Sequence, residues 1–223
     1  MKSFEETESP LIVVGANNPK VPYYNQVVPV NIHHFYLTGA VEEPEKYTDM
    51  IQTMKTAEEH DTIYVYINSP GGYLSSAIQI ITAMRNSPAQ IITVIEGEAY
   101  SAGSLIFLAG HKLVVNPYTS YMIHKYSHGV IGKGSDVASQ VQFSERYYDQ
   151  ICYGLYKDVL SKDEIDRMLK GEDFWFTAGE LVVRLRDAGR DVITSDDVEE
   201  EIAAKAVKEE VPAPKAKRTR KKP

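Results

Sequence analysis

The sequence predicts an α/β domain built on a largely parallel sheet. Two observations carry this prediction. Short runs rich in β-branched and aromatic residues alternate along the chain with stretches whose apolar residues recur at helical spacing. At 223 residues the chain is also long enough to bury one full hydrophobic core, and it suits one domain better than two.

Residues 1 to 30 carry Pro10, Pro19, Pro22 and Pro29 with no sustained period, and read as an irregular arm because each proline removes a backbone donor. The folded domain spans 31 to 194. His34 to Gly39 reads as a strand stopped by glycine, and Pro44 to Glu59 as a helix carrying Tyr47, Met50, Ile51 and Met54 on one face. Thr62 to Ile67 suits a buried strand and runs into the turn Asn68-Ser-Pro-Gly-Gly72. Leu74, Ala77, Ile78, Ile81 and Met84 then mark a helix that ends near Asn86. A strand from Gln90 to Ile95 leads through Glu96-Gly-Glu-Ala-Tyr100 to Ser101, after which Ala102 to Ala109, apolar almost all round, is a buried helix closed by Gly110. Lys112 to Val115 and Ser120 to His124 are two more strands. A long helix is expected from about Ser135 to Leu160, with Val137, Val141, Tyr148, Ile151, Leu155 and Val159 on one stripe. Ser161-x-x-Glu164 and Thr177-x-x-Glu180 are capping boxes, so shorter helices start there, the second ending at Gly189 before a strand from Asp191 to Ile193. Residues 195 to 223 turn from acidic and Ala-rich to Pro-, Lys- and Arg-rich, and a mobile tail is expected.

The formal net charge is −7, but the tail from Pro212 onward holds six Lys and Arg and no acid, so the rest of the chain carries −13. A body this acidic repels phosphate backbones, leaving only the tail to touch nucleic acid, and a short basic tail ordinarily serves solubility. Cys152 is the sole cysteine, which excludes an intramolecular disulfide, and within a helix it reads as a small buried side chain. The opening residues MKSFEETESP lack the apolar core of a signal peptide, and no run of about 18 apolar residues is present to span a membrane. A soluble, cytoplasmic protein is the expectation.

Three places carry candidate chemistry. Ser101 stands between a strand and a helix, where a sharp junction pushes a side chain outward and the first helical N–H groups point at a developing oxyanion. Small residues before a buried helix also serve packing alone. The glycines of Asn68-Ser-Pro-Gly-Gly72 allow a positive φ that turns an N–H toward a bound carbonyl, although the same residues make an ordinary turn into a helix. His124 ends a strand, where histidines are commonly exposed edge residues. The spacing Ala99-Tyr-Ser-Ala-Gly103 approaches the G-x-S-x-G elbow of α/β-hydrolases, but its first glycine is alanine and the order Ser, His, Asp is not theirs.

Taken together, Ile67-Asn-Ser-Pro-Gly-Gly72, Gly97-Glu-Ala-Tyr-Ser-Ala-Gly103 and Met122-Ile-His124 resemble, in order and spacing, the signature blocks of the Clp peptidase proteolytic subunit. Tyr36-Leu-Thr-Gly-Ala-Val41 resembles that family's first-strand block, so the likeness covers about residues 34 to 194. The resemblance implies a ClpP/crotonase-like fold, with repeated β-β-α units and a protruding handle helix supplied by the long helix after His124. It implies a serine endopeptidase with Ser101 as nucleophile, His124 as general base and Asp173, before Phe-Trp-Phe-Thr-Ala178, as the residue that orients the base. The backbone N–H groups of Gly72 and Ala102 would form the oxyanion hole. No cofactor is implied for this subunit. ATP would be used by a partner AAA+ unfoldase feeding unfolded polypeptides into two stacked heptameric rings, and no G-x-x-x-x-G-K-[ST] appears in this chain. The departures from the family are a short segment between Val41 and Asp61, Lys125-Tyr126 where Gln-Pro is common, an N-terminal arm unlike the family's pore-lining loop and an unusual basic tail.

Other readings follow from the same residues. Signal peptide peptidases share the Asn-Ser-Pro-Gly-Gly turn but pair serine with lysine on a membrane-attached chain, and acyl-CoA hydratases of the crotonase fold leave Ser101 and His124 unexplained. A catalytically silent, assembly-only ring subunit and a specialised maturation protease, such as a phage version, complete the alternatives.

Overall fold

The computed structural model describes residues 29–194 and Asp197. The expected arm, 1 to 30, and tail, 195 to 223, otherwise lie outside the described residues. Strand β1 (Ile32–Thr38) leads through a one-turn 3-10 helix (Pro44–Tyr47) into α1 (Thr48–Thr56). Then come β2 (Thr62–Ser69), α2 (Leu74–Asn86), β3 (Gln90–Tyr100), α3 (Ala102–Leu108), β4 (Lys112–Val115) and β5 (Ser120–Ile123). The long helix α4 (Gly134–Leu155) passes into a 3-10 turn (Tyr156–Asp158), followed by α5 (Lys162–Leu169), β6 (Phe174–Thr177), α6 (Ala178–Asp187) and β7 (Val192–Thr194). Among the described residues no helix is long and apolar enough to cross a membrane.

The sheet runs β1-β2-β3-β4-β7, every pair parallel, as the α/β reading predicts. Alternation in β2 buries Ile63, Val65 and Ile67 on one face and leaves Tyr64 and Tyr66 half-exposed on the other, where they stack with His34 and Tyr36. Strand β3 changes partner along its length. Ile92–Ile95 pair with β4, whereas Glu98, Tyr100 and the residue between them pair with β5, so the sheet forks. The second branch continues antiparallel from β5 to β6. Strand β6 is absent from the sequence reading because four residues are too few for a period-2 pattern to declare itself beside a capping box.

Helices α2 and α3 cover the core, with Ala77, Ile80, Ile81 and Met84 packed near Leu105, Ile106 and Phe107 in one buried cluster. Helix α4 stops at Leu155, short of the expected Leu160, and its buried residues are Tyr148, Cys152 and Leu155, all in its second half. Val137 and Val141 are only half-buried and Phe143 is 60% exposed, so the first half of the predicted stripe does not face the core.

Both capping boxes form, Ser161 with Glu164 and Thr177 with Glu180. Arg184 of α6 meets both Glu164 oxygens at 2.8 and 2.9 Å, and this pairing, aided by the Ser161 N–H, holds the Glu164 carboxyl down at about 2 from an ordinary 4.5. A carboxyl lowered on folding stabilises above its unfolded value and loses that contribution as pH falls toward the folded one. Glu164→Gln is therefore expected to cost on the order of 1–2 kcal/mol at pH 7, after allowance for solvent screening, and little near pH 2. Urea denaturation at both pH values checks this, and an equal cost at both would count against the ion pair.

Candidate active site

Strand β3 ends at Tyr100 and α3 begins at Ala102, which leaves Ser101 alone at the junction. Its backbone lies at φ 51° and ψ −118°, a conformation that costs a non-glycine residue about 1–3 kcal/mol. Surrounding bonds fix it there. Ser101 N–H donates to the Met122 carbonyl at 3.0 Å, and its own carbonyl accepts from Ser104 N–H at 3.0 Å, Leu105 N–H at 3.3 Å and Ser104 Oγ at 2.6 Å. The bend turns Oγ toward His124, the first residue beyond β5, and Nε2 lies 2.8 Å from it. Twenty-three positions apart in sequence, the two side chains meet because β5 runs parallel to the end of β3 in the register Tyr100↔Met122.

The Asn68–Gly72 turn packs against this elbow. At Gly71, with φ +95°, a Cβ would fall 2.7 Å from Ser101 Cβ and 2.7 Å from the Tyr100 carbonyl oxygen. Glycine is what lets the turn lie this close. Val41 clamps the next residue from outside, its N–H donating to Gly71 O at 2.8 Å and its carbonyl accepting from Tyr73 N–H at 2.9 Å. The bridge thus uses the groups on either side of Gly72, and Gly72's own N–H takes no part in it. Ala102 N–H opens α3 and so has no carbonyl one turn back. Asn68 Oδ1 accepts from Glu98 N–H at 3.2 Å where the β2–β3 register slips, which gives that signature residue a local task.

Asp173 immediately precedes β6. Continuing the antiparallel register past Ile123↔Phe174 sets it opposite His124, but it is exposed, and no hydrogen bond joins it to His124 among the described residues. Its neighbour Glu172 is paired with Arg167 at 2.7 Å. Cys152 is buried, and burial pushes its thiol up to about 12, so it stays protonated and inert. Among the described residues no cluster of three His, Cys, Asp or Glu side chains is placed to hold a metal ion.

Sequence reading missed the groups behind Ser101 and His124: Ser104, Tyr121, Tyr148 and Tyr156, whose hydroxyls form hydrogen bonds to the backbone and to one another. The one signal that could have found them was Ser104, the single hydroxyl inside the otherwise apolar α3.

The profile of the Clp protease family matches residues 31–183. The ATP-dependent Clp protease proteolytic subunit 2 of Pseudomonas aeruginosa is 29% identical over 161 residues, covering 69% of this chain and 78% of that protein. The ATP-dependent Clp protease proteolytic subunit 3 of Rhodococcus jostii is 30% identical over 148 residues, covering 65% of this chain and 73% of that protein. With the forked α/β sheet and the site geometry, these matches place the fold as ClpP-like, and the chain belongs to the Clp protease family.

Proposed function

We propose that the chain is a serine endopeptidase in which Ser101 attacks the scissile carbonyl, His124 takes the Ser101 proton and Asp173 orients His124. The contact that carries this reading is Ser101 Oγ to His124 Nε2 at 2.8 Å across a strained strand-to-helix junction. As Oγ bonds to the carbonyl carbon, its proton passes to Nε2 and the carbonyl becomes an oxyanion. The N–H groups of Gly72 and Ala102 receive that charge, each worth roughly 3 kcal/mol of barrier. His124 then returns the proton to the leaving amine, and water repeats the sequence on the acyl-enzyme. Asp173 stabilises the imidazolium from the Nδ1 side. Hydrogen bonds of this kind are often long in a free enzyme and tighten around substrate, and the register supports this role for Asp173. The adjacent carboxylate, Glu172, is paired with Arg167 at 2.7 Å.

Both relatives are named ATP-dependent. We carry over to this chain self-assembly into two stacked heptameric rings, unfolded polypeptide as substrate, a cytoplasmic location and a partner AAA+ unfoldase that uses the ATP. The subunit itself takes no cofactor in this reading.

A fluorophosphonate probe with peptide mapping tests the nucleophile. Labelling of Ser101 is expected, while an unlabelled, assembled protein would favour a silent ring subunit. Asp173→Asn is expected to lower kcat by about 10³- to 10⁴-fold with KM little changed. Glu172→Gln should leave kcat near wild type, and equal losses from the two would reject the assignment of Asp173.

A further inference from the structure

Behind Ser101 and His124 lies a run of hydroxyl groups that take no part in the proposed reaction. Tyr148 Oη donates to the His124 carbonyl at 2.6 Å. Ser104 Oγ donates to the Ser101 carbonyl at 2.6 Å. Tyr156 Oη lies 2.9 Å from Ser104 Oγ and 3.5 Å from the Ser101 carbonyl, and Tyr121 Oη donates to the Ser104 carbonyl at 3.1 Å. Each hydroxyl has one proton to give. The short contact to Ser101 takes the proton of Ser104, so Ser104 Oγ accepts from Tyr156, and the chain runs Tyr156 to Ser104 to Ser101.

The holders share one origin. Tyr148, Cys152 and Tyr156 recur at i, i+4 and i+8 and are all buried, forming a stripe that passes from α4 into the 3-10 turn. Burial raises the phenols of Tyr121, Tyr148 and Tyr156 above their ordinary value, so all three remain donors through the working pH range. Arg190 fixes the base of the stripe, bonding Asp158 at 2.6 Å and the Leu108 and Gly110 carbonyls at 2.9 and 2.8 Å. A stripe needed only for packing would be served by phenylalanine, which has no hydroxyl to satisfy. Here the two carbonyls gripped belong to the two residues whose side chains meet, and one of those residues is held in a strained backbone conformation.

We propose that Tyr148 and the Tyr156–Ser104 pair are positioning residues, which hold the His124 and Ser101 peptides from a single helical stripe so that Oγ and Nε2 stay in proton-transfer contact. This inference rests on Ser101 and His124 being nucleophile and base. Tyr148→Phe, Tyr156→Phe and Ser104→Ala, each made in the full assembled chain, are compared with wild type. The readouts are the rate of fluorophosphonate labelling at Ser101, and kcat and KM on a short fluorogenic peptide. Each variant is expected to lose about 10- to 100-fold in labelling rate and kcat, the loss given by a displacement of about 1 Å, with KM within about twofold. Leu155→Ala removes buried packing from the same helix but no hydroxyl. It should lower the thermal midpoint while its folded fraction labels at the wild-type rate. Wild-type labelling in all three hydroxyl variants, or an equal loss in Leu155→Ala, overturns the proposal. Should one variant fail to fold, the other two decide, since each breaks a different bond. If wild type itself does not label at Ser101, the peptidase reading fails and takes the inference with it. That outcome is distinct from one in which wild type labels and the variants label just as fast.

Discussion

Ser101→Ala is expected to lower peptide hydrolysis by about 10⁵- to 10⁶-fold, leaving only the residual rate that oxyanion donors and substrate binding supply without a nucleophile. The fold should survive, because the Ser101 backbone is held by Met122, Ser104 and Leu105 rather than by its own side chain. Alanine keeps the cost of φ 51°, however, and glycine does not. Ser101→Gly should therefore be as inactive as Ser101→Ala and more stable by about 1 kcal/mol, because glycine keeps the bend without the strain that a Cβ brings to it. Initial rates on a fluorogenic peptide and urea denaturation of both variants measure the two effects. Activity within about tenfold of wild type in Ser101→Ala would remove Ser101 as nucleophile.

Gly72→Ala is expected to damage stability and rate together. A Cβ at this position, where φ is +149°, would fall 2.2 Å from the Val41 carbonyl oxygen and 2.9 Å from the Val41 carbonyl carbon and nitrogen, all backbone atoms that cannot swing aside. Overpacking plus backbone strain amounts to about 3 kcal/mol. Relief requires the turn to leave Val41, which also moves the Gly72 N–H from the proposed oxyanion site and lowers kcat by about 10²- to 10³-fold in the molecules that still fold. Gly39→Ala is the matching control. That glycine has φ +85°, and a Cβ added to it would meet nothing within 4 Å, so the substitution should cost about 1 kcal/mol and leave kcat alone. Equal effects from the two variants would show that positive φ, not the closeness of Val41, governs the turn.

The elements legible in the sequence are those whose cause is local. Thr62 to Ile67 declares a strand by composition, Ser161 and Thr177 declare helix starts through their glutamates, and Ser101 declares itself by sitting between a strand and an apolar helix. Three features depend on contacts distant in sequence and leave no such mark. Strand β3 continues to Tyr100 because β5 is there to pair with its end, although Gly97 and Glu98 read as a connection. Strand β6 exists because Ser120–Ile123 offers it an edge. The tyrosines behind the site sit 24 and 55 positions from the carbonyls they approach, and on a helix face a tyrosine reads as core until its hydroxyl's destination is seen. Asp173 is named by resemblance alone. The register that sets it opposite His124 is a tertiary fact with no counterpart in local sequence.

The fork in the sheet hangs both side chains of the site on one short ladder. The trunk pairs β3 with β4 over four residues and β4 with β7 over three, and the branch pairs β3 with β5 over three and β5 with β6 over four. The branch is a pair of four-residue strands attached to β3 along Glu98–Tyr100, and its Tyr121, Ile123 and Phe176 are buried in the same core as the trunk. Ser101 follows β3 and His124 follows β5, so a substitution that parts these two strands also parts the two side chains.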